Sequence, residues 1–128
     1  MIKRKLALAS FISISFIAYA GAQTQGITRQ VMQTTEFPAG LTTISAIGTM
    51  AAGVCAGAHI HPGLETTYML EGELTLKVEG KPDLKVKAGD SLQVPIAAKH
   101  DACTGNMPAK WLSVYVIERG KPIASPAP

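Results

Sequence analysis

Helical periodicity is what this sequence most clearly lacks. After residue 22, no stretch repeats its apolar residues at the three- and four-residue intervals of an amphipathic helix. An internal repeat and a domain linker are also missing, and 128 residues suffice for one domain rather than two. These absences exclude a helical bundle, a repeat array and a two-domain protein.

Excess charge is lacking too, once the N-terminal segment is set aside. Without Lys3, Arg4 and Lys5, nine basic residues balance nine acidic ones, so the basic pI belongs to the precursor. The sequence therefore gives no reason to expect a nucleic-acid partner. Arg29 and Arg119 are the arginines that remain, and neither falls near the motifs described below. We expect no arginine clamp for a carboxylate or phosphate substrate.

The N-terminal segment has the three-part layout of a secretory signal peptide. A basic start precedes an apolar run from residue 6 to 19, and small residues surround Ala20 and Ala22, the two candidate cleavage positions. An N-terminal membrane anchor is the alternative, but the run is shorter than the roughly 20 residues that a bilayer span needs. We predict a signal peptide at residues 1–22, export to the periplasm or medium, and no stable membrane insertion after cleavage.

Short strand-like runs fill the rest of the chain. From residue 41 to 119, apolar or alternating runs of strand length are separated by turn residues, which is typical of a β-sandwich or barrel. Residues 23–40 form an N-terminal arm in which residues 27–32 are a candidate edge strand. Residues 120–128 form a proline-rich tail that we expect to be flexible. The predicted class is all-β, with a single small antiparallel barrel.

The chain has three histidines, and they are not scattered. His59 and His61 stand two apart on a predicted strand, so both imidazoles share one face. Glu65 follows the next turn, and His100 lies beyond the second turn cluster. A charged carboxylate inside an apolar barrel is costly unless it is paired. Three imidazoles and a carboxylate predict one divalent transition metal per chain, with Fe, Mn, Ni, Cu, Co and Zn all compatible.

At these residues the sequence resembles the cupin family. Gly53, His59, His61, Glu65 and Gly72 match Gly-x5-His-x-His-x3-Glu-x6-Gly, the first cupin motif. The second motif, Gly-x5-Pro-x-Gly-x2-His, is matched by Gly89, Pro95 and His100. The resemblance implies a jelly-roll-like barrel with a metal inside it, and often a homodimer.

The second motif is not matched throughout. Ala97 stands where the family has glycine, and Thr104 stands where it has asparagine. Neither position is a metal ligand, so the departures leave the ligand set intact. They bear instead on the shape of the turn before His100.

Two cysteines, Cys55 and Cys103, remain after the motifs are assigned. The strand pairing that the family fold implies would bring them close together, and export would permit a disulfide. Two separate buried thiols are an alternative. Cys55 as an additional metal ligand is a third.

The prediction of cavity-lining residues is less specific than that of the metal ligands, because large apolar residues usually belong to the hydrophobic core. Those that could line the barrel interior are Met50, Met69, Met107, Trp111 and Tyr115.

Two functions are compatible with the predicted site. One is a metal-dependent enzyme of dioxygenase, isomerase, decarboxylase or lyase type, acting on a small molecule, with phenols among the candidates. The other is a non-catalytic module that binds a metal or a small ligand. Such a fold hosts many functions, so it does not decide between them.

Overall fold

The computed structural model describes residues 25–128, so the predicted signal peptide at residues 1–22 lies outside the described residues. Within that range the structure has no helix long and apolar enough to cross a membrane. Its regular structure consists of ten strands: β1 (Ile27–Thr35), β2 (Leu41–Met50), β3 (His59–Ile60), β4 (Gly63–Glu71), β5 (Glu73–Val78), β6 (Leu84–Lys87), β7 (Ser91–Val94), β8 (His100–Thr104), β9 (Ala109–Glu118) and β10 (Ser125–Pro126).

The strands form two five-stranded antiparallel sheets. One has the order β1-β2-β9-β4-β7 and the other the order β10-β3-β8-β5-β6. The all-β jelly-roll class is confirmed. In the described part of the chain, however, the ladders do not join into one closed barrel, because the second sheet ends in the short strands β6 and β10. The fold is two sheets packed face to face.

The core lies between the two sheets. Alternation along each strand sends every second side chain inward, as in β2, where Ile44, Ala46 and Met50 are buried. The larger apolar cluster joins Met50 and Met69 of the first sheet to side chains of the second. Met69 is fully buried, so its replacement by alanine would cost about 2–5 kcal/mol. A second, smaller cluster consists of residues from the first sheet: Ile44, Ala46, Tyr115 and Ile117.

The C-terminal tail differs from the expectation of a flexible segment. Ser125 and Pro126 form β10, which pairs antiparallel with Ile60 and His59. The Ala127 amide donates to the carbonyl of Ala58 at 3.0 Å. Proline has no main-chain donor, but its neighbours still supply main-chain donors and acceptors to the open edge of β3. The tail therefore lies along the strand that carries the first histidine.

Candidate metal centre

The three histidines converge on the second sheet. His59 faces His100 directly in the β3–β8 ladder, and His61 follows β3. Ring centroids are 4.1 Å apart for His59 and His100, and 5.0 Å apart for each of the other two pairs. One ligand atom from each imidazole lies within 4.8 Å of the others. The spacing of the two motifs thus translates into a compact cluster of imidazole nitrogens.

Each imidazole is oriented by a main-chain carbonyl. The Nδ1 atom of His59 is 2.7 Å from the carbonyl oxygen of Gly57, and that of His100 is 2.9 Å from the carbonyl oxygen of Ala98. The Nδ1 atom of His61 is 2.6 Å from the carbonyl oxygen of Ile123 in the tail. A carbonyl only accepts, so each Nδ1 is the protonated nitrogen. In the neutral ring this leaves the lone pair on Nε2, which is the arrangement found in metal-binding histidines.

Glu65 brings the carboxylate to the same place from β4. Its Oε1 accepts hydrogen bonds from the hydroxyls of Ser113 at 2.7 Å and Thr67 at 3.1 Å. Its Oε2 lies 2.9 Å from Nε2 of His61 and 3.9 Å from Nε2 of His100. The structure therefore brings together all four of the ligands predicted from the sequence.

The contact between Glu65 and His61 tests whether this donor set fits a cation. The Nε2 atom of His61 is buried and has no hydrogen-bond partner, although a carboxylate oxygen is 2.9 Å away. With Nδ1 already donating to Ile123, a neutral ring would point its lone pair at an anion. A positive charge must lie between them, either a proton or a metal ion. A proton would link only one imidazole to the carboxylate, whereas a metal ion would accept lone pairs from all three imidazoles and the carboxylate. The residues therefore fit a divalent metal.

The ionisation states also suit a metal. Burial lowers the pKa of His59 to about 4 and lowers the pKa of His100. Burial by itself would raise the pKa of Glu65, but the neighbouring His61 ring and the Ser113 hydroxyl bring it down to about 2. Two of the imidazoles are therefore neutral and the carboxylate is charged at pH 7, the protonation states that coordination requires.

A cavity of about 70 Å³ opens over this cluster. Of the five lining residues predicted from the sequence, Met50, Trp111 and Tyr115 border it. Met69 does not, because it is fully buried in the apolar core. Met107 does not either, because it lies in the turn before β9 and is 63% exposed.

Arg29 also borders the cavity, contrary to the expectation that no arginine lies near the site. It sits on β1, and its Cζ atom is 5.6 Å from the centroid of the Tyr115 ring. The sequence did not indicate this proximity, because Arg29 is far from the motifs along the chain. The pairing of β1 with β2 brings it close to the site. Arg119 is elsewhere and pairs with Glu36 at 3.3 Å.

The two cysteines form a disulfide. Cys55 and Cys103 face each other as an isolated antiparallel bridge and are covalently joined. This arrangement excludes the two separate thiols and removes Cys55 as a metal ligand. The bond joins the segment that leads into β3 to the penultimate residue of β8, the strand that begins at His100.

The turn before His100 keeps the shape that glycine would give it. Ala97 has a φ of 57°, in the left-handed region that glycine adopts without cost. Its amide donates to the carbonyl of His61 at 3.1 Å, and the amide of Ala98 donates to Pro95 at 3.2 Å. The departure from the family motif therefore leaves the turn in place, at the expense of backbone strain.

Sequence reasoning missed the residues that hold the ligands. Thr67 stands two positions after Glu65 and so shares its strand face, a signal that was available. Ser113 is an inward-facing polar residue of β9, and it is also 2.6 Å from the Thr67 hydroxyl. Nothing in the sequence indicated the contact with the Ile123 carbonyl, because a main-chain acceptor is present whatever the side chain.

Fold and site together define a jelly-roll protein whose three clustered histidines could hold a metal ion. The family model described as "Cupin domain" matches residues 46–115, more than half of the chain. The chain belongs to the cupin family. A comparison with curated proteins found no match.

Solved structures support the same fold. The DMSP lyase DddQ from Ruegeria pomeroyi is 19% identical with a TM-score of 0.71, covering 88% of this chain and 59% of its own. A conserved protein with a double-stranded β-helix domain from Klebsiella pneumoniae is 21% identical with a TM-score of 0.66, covering 93% and 99%. The polyketide cyclase RemF from Streptomyces resistomycificus is 20% identical with a TM-score of 0.64, covering 76% and 69%. At these identities the likeness concerns the fold alone, and this chain spans little more than half of the DMSP lyase.

Proposed function

We propose that this cupin is an exported metal-dependent enzyme that converts a small molecule. The observation that carries the proposal is the convergence of one nitrogen from each of three imidazoles and one carboxylate oxygen beside a cavity. His59, His61, Glu65 and His100 would hold the ion. A bound metal would supply a Lewis acid or a redox centre to an oxygen-bearing ligand.

The residues around the ligands would keep water out and the carboxylate fixed. Apolar side chains from both sheets border the cavity, among them Leu74, Leu76 and Val94. Tyr115 is buried against Glu65, and burial together with that carboxylate raises the pKa of its hydroxyl. Tyr115 therefore stays neutral and acts as a hydrogen-bond donor to Glu65 rather than as a base.

The structural neighbours support enzymatic chemistry without selecting one reaction. Their names include a DMSP lyase, a polyketide cyclase and an oxalate decarboxylase from Bacillus subtilis. These reactions differ, and the shared fold does not choose between them. The proposal therefore covers dioxygenase, isomerase, decarboxylase and lyase types.

A non-catalytic metal- or ligand-binding module is the second candidate, and one observation favours it. Among the described residues that border the cavity, Glu65 is the one carboxylate, and it faces the imidazoles. No further carboxylate of that set is free to act as an acid or a base. A binder needs none.

Turnover with each reconstituted metal distinguishes the two candidates. The metal-loaded protein is incubated with small hydroxy acids, keto acids and phenols, with and without oxygen, and the products are measured. We expect product from the wild-type protein and none from the His100→Ala variant. Unreacted ligand bound to the metal-loaded protein would favour the binding module.

Export and self-association are further parts of the proposal. The Cys55–Cys103 disulfide supports export, because such bonds persist in oxidising compartments. Exposed apolar side chains on and just after the edge strand β1 support a homodimer: Val31, Met32 and Phe37. Sedimentation of the mature protein and its recovery from the periplasm or medium test the two parts.

A further inference from the structure

Strand register directs Arg29 towards the cavity. Arg29 pairs with Gly48 in the β1–β2 ladder, and Gly48 pairs with Trp111 in the β2–β9 ladder. Directly paired residues of an antiparallel sheet point to the same face. Trp111 borders the cavity, so the Arg29 side chain leaves β1 on the cavity side of the sheet. Register alone therefore fixes the direction of the side chain.

Small residues on β2 leave room for the aromatic side chains that Arg29 approaches. A Cβ atom at Gly48 would lie 2.2 Å from the Trp111 indole, so the indole covers the space where a side chain would stand. Ala46, the next inward-facing residue of β2, is also small. Beyond it the guanidinium lies above the Tyr115 ring, which packs against His61 with centroids 5.2 Å apart. Arg29 is thus separated from the metal ligands by a single ring.

The charge of Arg29 is not neutralised by the residues around it. In residues 25–128, no carboxylate forms an ion pair with Arg29, whereas Arg119 pairs with Glu36. Arg29 is solvent-exposed at the cavity and is the one lysine or arginine among the described residues that border it. An accessible guanidinium without a carboxylate partner is available to an anion from solution.

We propose that Arg29 binds the carboxylate of a small substrate whose second oxygen reaches the metal, an inference that rests on the proposed function. The planar guanidinium matches a carboxylate through two parallel hydrogen bonds. A cavity of about 70 Å³ admits only a small molecule or the reactive end of a larger one. A singly charged carboxylate also avoids placing a dianion close to Glu65. A short hydroxy or keto acid satisfies these conditions.

Ligand binding to the cobalt-loaded protein tests this proposal. The probes are glycolate, lactate and pyruvate, each paired with its neutral amide, and the readout is the visible spectrum of the bound Co(II). We expect at least one acid to perturb the spectrum with an affinity at least about tenfold higher than that of its amide. Arg29→Gln should remove this difference, and Arg29→Lys should restore part of it. Arg119→Gln is the matched control and should leave the spectrum and the affinities unchanged.

The outcomes separate this proposal from the function on which it rests. A protein that takes up no cobalt contradicts the metal site itself. A cobalt-loaded protein that binds none of the acids, or binds acids and amides equally, overturns the role of Arg29 and leaves the metal site standing. If the wild-type protein and Arg29→Gln bind the acids equally, the proposed role of Arg29 is overturned as well.

Discussion

The two sides of the candidate metal centre are supported in different ways. On the side formed by β3, β8 and the tail, every imidazole is held by a main-chain carbonyl. On the side formed by β4 and β9, the carboxylate of Glu65 is held by the side-chain hydroxyls of Ser113 and Thr67. The nitrogen ligands therefore depend on the path of the backbone, and the oxygen ligand depends on neighbouring side chains.

This difference determines how each side can be disturbed. A point substitution removes a hydroxyl beside Glu65, but it does not remove a carbonyl beside a histidine. The imidazole side is weakened by changing the backbone, and its most accessible part is the tail that supplies the Ile123 carbonyl. The predictions below act on one side at a time.

Loss of the carboxylate charge should have the largest effect. Glu65→Gln keeps the size of the side chain and removes the negative ligand, so metal affinity should fall at least about a hundredfold. Metal content after dialysis against a weak chelator measures this. Glu73→Gln is the matched control, since Glu73 lies on the protein surface and pairs with Lys85. Equal retention in the two variants would show that Glu65 is not a ligand.

Removal of the C-terminal tail should cause the second-largest loss of metal affinity. Truncation after Lys121 deletes the carbonyl that fixes His61 and should lower metal affinity by about tenfold to a hundredfold. Truncation after Pro126 is the control, because it keeps Ile123 and the β10 pairing. Chelator competition gives the affinity, and the Co(II) spectrum shows whether the ligand geometry changes. If both truncated proteins bind metal like the full chain, the tail does not support His61.

Loss of a hydroxyl that holds Glu65 should lower metal affinity less than Glu65→Gln or the tail truncation does. Ser113→Ala removes the shorter of the two hydrogen bonds to Oε1, but Thr67 remains, so affinity should fall by about tenfold. Ser91→Ala, on the exposed edge strand β7, is the control. A loss as large as that of Glu65→Gln would mean that Ser113 holds more than the carboxylate.

Acid should destabilise the metal-free protein. Because the pKa of His59 is about 4 in the folded state and 6.5 in its ordinary state, unfolding takes up a proton between these values. Stability is therefore full above pH 6.5 and falls as the pH drops towards 4. Thermal unfolding at pH 7 and pH 5 measures the change, and His59→Gln should reduce it. A melting temperature independent of pH in the wild-type protein would oppose this account.

The smallest effect concerns the turn on the imidazole side. Ala97→Gly relieves the left-handed strain of alanine, which is about 1–2 kcal/mol, but makes the unfolded chain more flexible. A net gain in stability of about 0.5–1 kcal/mol should appear in denaturant unfolding. Ala102→Gly, within β8, should instead destabilise the protein. Destabilisation by Ala97→Gly would mean that the methyl group is needed for packing.

The sequence predicted which residues come together at the candidate site better than it predicted the groups that hold them. Spacing alone indicated that His59 and His61 share a strand face, the chemistry of the remaining histidine and a nearby carboxylate added His100 and Glu65, and the motif resemblance then matched the same set. The packed tail and the position of Arg29 were missed, because both depend on pairings between distant segments. Proline content suggested a flexible tail at residues 120–128, but the tail pairs with the open hydrogen-bonding groups of β3. Pairing between strands that are distant in sequence produces no local sequence pattern. In this protein such pairing determines which residues surround the candidate ligands.

Metal stoichiometry of the mature, untagged protein tests the central claim most directly. Elemental analysis of protein purified through its own export pathway should find a single transition-metal ion per chain, and His100→Ala should lose it. The folded protein should also melt at a higher temperature with metal than without, since binding to the native state stabilises it. A protein that binds none of Fe, Mn, Ni, Cu, Co or Zn on reconstitution would contradict the account. The four residues would then be a structural hydrogen-bonding network.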